Sequence, residues 1–133
     1  MNKEDFVSFK CAKRLKALGF DCDVNAYYNR YNGMFFEHWS AKNANSCDNV
    51  YSAPTLAQAC KWLREKHNIH VQIESVVGKR WTYDLIDTNP MQDISGEYIS
   101  RTPEKDGYPV IDTYEQAQSD GIDVALGLLE KGA

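Results

Sequence analysis

The stretch TLAQACKWLREKHNIHVQIE, residues 55–74, decides the fold because it contains a whole helix followed directly by a strand. Thr55 and Gln58 form a capping-box pattern, which starts a helix, and apolar residues at helical spacing extend that helix to about His67. From Ile69 onward apolar residues alternate with polar ones, as they do in a half-buried strand. This change of period predicts a helix that leads into an antiparallel strand with one buried face.

The residues after this stretch add a second strand. A turn is predicted at residues 77–80, and Trp81, Tyr83 and Leu85 then alternate with polar residues. The helix and its two strands therefore form one α-β-β unit at about residues 55–87.

A similar unit precedes this one, at about residues 8–39. Ser8 is the predicted N-cap of its helix, and Leu15 of that helix corresponds to Leu63 when the two units are aligned. Asn32-Gly33 then predicts a two-residue hairpin turn, since both residues tolerate positive φ. Two copies of one unit predict that their strands share a sheet.

A closing helix is predicted at about residues 114–131, where Thr113 and Gln116 repeat the capping pattern. Because a glycine inside a helix costs about 1 kcal/mol relative to alanine, Gly121 indicates a close backbone approach to a sheet or another helix. Gly121 belongs to a stripe of small residues, Ala117, Gly121 and Ala125.

The pattern predicts one α+β domain over residues 1–133 with the element order α-β-β-α-β-β-α. We expect two layers, in which a four-stranded, mainly antiparallel sheet is covered on one face by the helices. Two polar connections, at about residues 40–52 and 89–112, are longer than most loops in a compact domain, and the first is a candidate binding loop. A short extra strand is predicted at residues 97–100, within the second connection.

The composition is that of an ordinary globular protein, with 43% hydrophobic and 26% charged residues. No apolar run is long enough to cross a bilayer and no signal-peptide segment opens the chain, so we expect a cytoplasmic protein without membrane association. The net charge of −4 argues against broad electrostatic binding to nucleic acid or anionic lipid. The four cysteines include no Cys-x-x-Cys pair and are expected to be reduced.

The polar face of the predicted sheet is the main candidate binding site, because an antiparallel sheet with helices on one side leaves its other side facing solvent. The residues expected on this open face are Tyr27, His70, Gln72, Glu74 and Asp84. Further tyrosines surround the first hairpin, and those not needed for the core could form a surface for protein binding or self-association. In a small-metabolite enzyme, the least favoured interpretation, this sheet face would form a deep pocket.

A second candidate site consists of basic residues on the first two helices. If the two units are related by a pseudo-twofold axis, these residues would form one basic surface suited to nucleic acid. Solvated helix faces are the simpler explanation, since the protein is acidic overall. The residues are Lys13, Arg14, Lys61 and Arg64.

The sequence contains no recognisable catalytic or metal-binding motif. His67 and His70 straddle a helix end and a strand start, and together with Cys60 they match no standard zinc spacing. There is no nucleophile elbow, catalytic cysteine signature or glycine-rich phosphate loop. We therefore predict no cofactor, no metal and no catalytic residue.

The second unit resembles a known family. Ala53–Thr55, Lys61–Glu65 and Ile69–Val71 are similar to a pattern in small uncharacterised proteins of gut-bacterial, Bacteroides-type prophages and other mobile elements. The last helix of those proteins resembles Thr113–Ala117, and their first helix ends in a similar Leu-Gly-Phe, here Leu18–Phe20. The resemblance implies origin and fold, and it implies no catalytic residue because the family has no assigned activity.

These observations predict a phage or mobile-element accessory protein that acts as a non-enzymatic protein-binding module. The partner is unknown, and both a bacterial host protein and a second copy of the chain are open. Nucleic-acid binding through the basic helices is the alternative function.

Overall fold

A computed structural model describes residues 2–76, 78, 80–88, 97–100 and 110–132. The helices in this part of the chain are α1 (Phe9–Ala17), α2 (Leu56–His67) and α3 (Tyr114–Glu130). The strands are β1 (Val24–Asn29), β2 (Phe35–Lys42), β3 (Val50–Ser52), β4 (Ile69–Val76), β5 (Arg80–Asp87) and β6 (Glu97–Ser100). Two short 3₁₀ turns lie at Lys3–Asp5 and Ala44–Ser46.

The α+β class is confirmed, and the four predicted strands are present as β1, β2, β4 and β5 with antiparallel pairing. The structure corrects the prediction that they share one sheet. The described strands form two three-stranded sheets, with the orders β2-β1-β3 and β4-β5-β6. The physical reason is that β3 and β6 occupy the second edges of the central strands β1 and β5.

The residues predicted to cap the first two helices at their N-termini do so. The Ser8 hydroxyl accepts a hydrogen bond from the N–H of Cys11 at 3.1 Å. In the capping box of α2, Thr55 Oγ1 accepts from the Gln58 N–H at 3.1 Å, and Gln58 Oε1 accepts from the Thr55 N–H at 2.8 Å. α2 ends because Asn68 adopts the left-handed conformation, with φ at 56°, which asparagine tolerates better than most residues.

The turn of the first hairpin differs from the predicted two-residue type I′ turn. β1 ends at Asn29, and residues 30–34 connect it to β2. Gly33 has a φ of 70°, but Asn32 has no positive φ, and a type I′ turn needs one at both positions. Instead, the Asn29 side-chain oxygen accepts hydrogen bonds from the N–H groups of Tyr31 and Asn32 at 2.9 and 3.2 Å.

The predicted loop at residues 40–52 is more regular than its polar composition indicates. It contains the end of β2, the second 3₁₀ turn and β3. Asn45 joins it to the sheet, since its N–H donates to Ser52 Oγ at 2.9 Å and its Oδ1 accepts from the Ser52 N–H at 2.7 Å. A short strand therefore replaces part of the expected loop.

One hydrophobic core extends through both units. Phe20, which follows α1, contacts Trp62 of α2 with ring centroids 5.5 Å apart, and both side chains are buried. Phe9 of α1 packs against Tyr28 and Tyr51 of the first sheet. Aromatic rings contribute much of this core because each buries a large apolar area.

The stripe of small residues on α3 packs against the second sheet. Ala117, Gly121 and Ala125 are buried, and Gly121 lies against Val71 of β4 and Tyr83 of β5. The close helix–sheet approach predicted from Gly121 is therefore confirmed.

The connection predicted at residues 89–112 lies largely outside the described residues. Its described parts are residues 110–112 and β6, which confirms the predicted short strand. Ile111 and Trp81 exchange two backbone hydrogen bonds of 2.8 Å, so the chain returns to β5 before α3 begins. Of the turn predicted at residues 77–80, the structure describes residues 78 and 80.

Candidate functional site

The structure divides the predicted binding face between the two sheets. Tyr27 lies in β1 of the first sheet, whereas the other four residues lie in β4 and β5 of the second. Gln72 is directly opposite Asp84 in the β4–β5 ladder, and alternation places His70 and Glu74 on the same face. Tyr27 therefore belongs to a different surface.

The polar face of the second sheet was predicted to be open to solvent, but its β5 side chains, Thr82 and Asp84, are buried. Asp84 and Thr82 expose only 0% and 2% of their surface. His70, Gln72 and Glu74 are half-buried, and the Gln72 amide donates a hydrogen bond to the Glu74 carboxylate. Alternation along a strand predicts which side chains share a face, but it does not reveal whether that face is shielded from solvent.

The two histidines at the junction of α2 and β4, His67 and His70, both have a lowered pKa. Burial lowers the pKa of His70, and the positive charge of Arg64 lowers it further. Burial also lowers the pKa of His67, although its place at a helix C-terminus favours the charged form. Within the described ranges, no group of three or more His, Cys, Asp or Glu side chains is arranged to hold a metal ion.

Of the two helix cysteines, Cys60 is buried in the core and Cys11 is half-buried against it. Burial raises the pKa of Cys11 to about 12 and that of Cys60 to about 11. Since the thiolate is the reactive form, a catalytic cysteine needs a lowered pKa. Cys60 is therefore the small buried hydrophobe that the helical pattern predicts, whereas Cys11 is only partly buried.

Arg14 does not contribute to a free basic surface, because two carboxylates of α3 hold it. Its Nε and Nη2 donate to Glu130 at 2.9 and 2.8 Å, and its Nη1 pairs with Asp123. The hydrogen bond to Glu130 raises the pKa of Arg14, and Arg14 in turn lowers the pKa of Glu130. Arg14 thus joins α1 to α3. The other predicted basic residues are exposed to solvent: Lys13, Lys61 and Arg64.

Tyr27 is the centre of an aromatic stack on the outer face of the first sheet. Its ring stacks on that of Phe36, its partner in β2, with centroids 5.4 Å apart and planes inclined by 24°. His38, two residues further along β2, has its ring centroid 5.6 Å from that of Tyr27. Tyr28, on the opposite face of β1, is buried in the core, and Phe35 and Tyr27 are both partly buried against it. The first sheet therefore has aromatic residues on both faces.

A cavity of about 470 Å³ lies beside Tyr27, between the first sheet and residues 42–50. We call it the β1–β3 pocket. Its size is typical of a small-molecule site. The side chains that matter for its chemistry are Tyr27, Lys42, Asn43, Ala44, Cys47 and Asn49.

The end of the first hairpin exposes three large hydrophobic side chains. Tyr31 is 77% exposed, Met34 54% and Phe36 39%. The guanidinium of Arg30 lies 5.9 Å from the centre of the Tyr31 ring. We call Arg30, Tyr31, Met34 and Phe36 the hairpin tip.

Sequence reasoning noted the tyrosines of this hairpin but missed Met34 and Phe36 as surface residues. Phe35 and Phe36 are adjacent, so alternation requires them to point to opposite faces without saying which one is buried. The structure places Phe35 against the core and Phe36 outside.

Comparisons with known proteins give no match for this α+β chain. No family model, no curated protein and no solved structure matches it. The resemblance to prophage proteins therefore stays a prediction, and the function has to be inferred from geometry. Within the part of the chain that the structure describes, no helix is both long and apolar enough to cross a membrane.

Proposed function

We propose that this chain is a non-enzymatic binding module that contacts a partner protein through the hairpin tip. One observation carries the proposal: three of the five exposed large hydrophobic side chains in the described residues lie between residues 31 and 36. Single surface hydrophobics are normal in soluble proteins, whereas a group of them in one place indicates an interaction site.

The residue types at the hairpin tip are those enriched in protein interfaces. Tyrosine, methionine, phenylalanine and arginine all occur more often in protein interfaces than on the rest of a protein surface. Tyrosine and arginine also dominate the small number of residues that provide most of the binding energy. A partner with an apolar groove and an acidic rim would complement Arg30 together with its hydrophobic neighbours.

Local hydrogen bonds hold the hairpin tip in one conformation. The Asn29 carbonyl accepts a hydrogen bond from the Gly33 N–H at 2.9 Å, and the Asn29 N–H donates to the Met34 carbonyl at 2.8 Å. Phe36 is held by its stack on Tyr27. A surface that is ordered before binding loses less entropy when the complex forms, which favours affinity.

The partner can be sought in a bacterial lysate, because the sequence resembles proteins of gut-bacterial prophages. The protein would be immobilised, and the captured proteins identified for the wild type and for Tyr31→Ser/Met34→Ser. We expect the specific partner to disappear with this double variant. Val110→Ser/Tyr114→Ser is the matched control, since Val110 and Tyr114 are the other exposed large hydrophobics described.

Equal capture by the two double variants would contradict the proposal. Sedimentation of the purified protein tests the case in which the partner is a second copy. A dimer that the hairpin-tip variant dissociates and the control variant preserves would identify self-association through the same surface.

A further inference from the structure

We propose that Asn32, in the turn between β1 and β2, is a site of spontaneous deamidation, and that the new charge weakens the contact with the partner protein. Asn32 is exposed, and it is the only asparagine of the chain that a glycine follows. The modification itself needs no partner, whereas its regulatory effect rests on the function proposed for the hairpin tip.

The reaction begins when the backbone nitrogen of Gly33 attacks the side-chain carbonyl carbon of Asn32. An N–C bond forms, the bond from that carbon to the side-chain amide nitrogen breaks, and ammonia leaves with the proton of the Gly33 N–H. Water then opens the resulting cyclic imide at either of its carbonyls, which gives aspartate or isoaspartate at position 32. Glycine favours the attack because it has no Cβ atom to hinder a close approach of its backbone.

Hydrogen bonds to Asn29 restrain both reacting groups in the folded turn. The Gly33 N–H, which loses its proton in the reaction, donates to the Asn29 carbonyl at 2.9 Å. The Asn32 N–H donates to Asn29 Oδ1 at 3.2 Å, and Asn32 Oδ1 itself accepts from the Met34 N–H at 2.9 Å. The reaction therefore has to wait until these bonds open, and surface turns open locally far more often than a whole domain unfolds.

Either product changes the surface that the partner is proposed to contact. Aspartate places a carboxylate in the same turn as Arg30 and repels the acidic rim that complements this arginine. Isoaspartate lengthens the backbone by a carbon atom, which disturbs the spacing of the hydrogen bonds that join Asn29 to Gly33 and Met34. Deamidation thus acts as a slow, one-way switch that lowers the affinity of the hairpin tip.

Peptide mass spectrometry of the whole chain, incubated for days in mildly alkaline buffer, tests the site and its restraint. The reference for each variant is the same chain in concentrated guanidinium chloride. We expect the folded wild type to lose the Asn32 amide about tenfold more slowly than its reference, because local opening limits the rate. In Asn29→Ala, which lacks the side-chain acceptor, the folded rate should approach the reference rate. Asn29→Asp keeps an acceptor and should preserve the difference.

Asn25 is the internal control, because it is exposed but alanine follows it. Equal rates at Asn25 and Asn32 in guanidinium chloride would overturn the site. Equal folded and unfolded rates at Asn32 in the wild type would overturn the restraint, and so would a folded rate in Asn29→Ala as slow as that of the wild type. Circular dichroism shows whether each variant is folded.

Asn32→Asp reproduces the charge of the product and tests the switch. It keeps an acceptor for the Met34 N–H, so capture of the partner should fall by about tenfold through charge repulsion alone, and less in high salt. Asn25→Asp is the matched control, since it adds the same charge at the other end of β1. Equal capture by the two variants would overturn the switch. If the wild type itself captures no partner, the function proposed for the hairpin tip fails and the switch with it, while the deamidation rates still decide the site.

Discussion

Gly121 of α3 lies so close to Val71 of β4 that a Cβ atom on the glycine would be 2.6 Å from the valine Cγ1. The same atom would be 3.4 Å from the ring of Tyr83 in β5. Contacts below 3 Å require one of the two elements to shift, since packed cores have little free space. The glycine therefore sets the distance between the last helix and the second sheet.

Replacing Gly121 by alanine should lower the free energy of unfolding. Overpacking costs about 1–3 kcal/mol, and over most of this range it outweighs the helix-propensity gain of about 1 kcal/mol. Gly127→Ala on the same helix is the matched control, because the nearest atom to its Cβ would be Arg14 Nη2 at 3.8 Å. The control should stabilise the protein in urea denaturation. Similar changes at both positions would show that Gly121 has no packing role.

We expect the protein to tolerate glycine better than alanine at position 68, as judged by the free energy of unfolding. The φ of Asn68, 56°, is left-handed, and this conformation costs a residue with an ordinary side chain about 1–2 kcal/mol. Asn68→Ala should therefore reduce the free energy of unfolding by about 1 kcal/mol, while Asn68→Gly should leave it nearly unchanged. Thermal denaturation of the two variants measures this difference. An alanine variant more stable than the glycine variant would refute the prediction.

The elements that could be predicted from sequence are those with long, regular patterns. α2 and β4 follow from the capping box at Thr55 and from the change of period near Ile69, both of which act locally. β3 could not be predicted, because Val50–Ser52 is too short for alternation to show and lies in an asparagine-rich stretch. Since β3 closes one edge of β1, missing it led to the prediction of one sheet in place of two.

The candidate site was harder to predict than the fold for a related reason. Alternation correctly grouped Gln72 with Asp84 on one face, but the burial of Asp84 depends on what covers the sheet. Likewise, Arg14 looks like any surface cation until α3 brings Asp123 and Glu130 beside it. Contacts between residues distant in sequence leave no local pattern.

The stability of the protein should fall as the pH drops below about 6.5, partly because of His70. Its pKa is lowered in the folded state relative to the ordinary value of 6.5, so the unfolded chain binds the proton more readily. The stabilising effect is present above pH 6.5 and is lost as the pH falls through the folded pKa. His70→Asn should flatten this dependence in urea titrations at pH 7.5 and 5.5. An unchanged slope would contradict the assignment.

The ion pairs of Arg14 should stabilise the contact between α1 and α3. Arg14→Gln is expected to lower the urea midpoint at pH 7. Since the pKa of Glu130 is lowered in the folded state, its contribution is present above its unfolded pKa and is lost as the pH falls through the folded value. The difference between Arg14→Gln and the wild type should therefore shrink in acid. Glu65→Gln is a suitable control, because Glu65 forms none of the ion pairs found among the described residues.

Asn45 should be the residue on which the order of the 43–49 segment depends. It makes hydrogen bonds to both the N–H and the hydroxyl of Ser52, which is fully buried. Asn45→Ala leaves the Ser52 N–H without its acceptor in a site closed to water, which should cost about 1–3 kcal/mol of the free energy of unfolding.

Asn49→Ala is the matched control for Asn45→Ala, because Asn49 is an exposed residue at the rim of the β1–β3 pocket. Hydrogen exchange of the amides in residues 43–52 provides the local measurement. We expect faster exchange throughout this segment in Asn45→Ala and wild-type rates in Asn49→Ala. Equal protection in the two variants would mean that the Asn45 hydrogen bonds do not hold the segment. The segment would then be held by the hydrogen bonds that Lys16 donates to the carbonyls of Cys47 and Val50 and that Arg30 donates to those of Asp48 and Asn49.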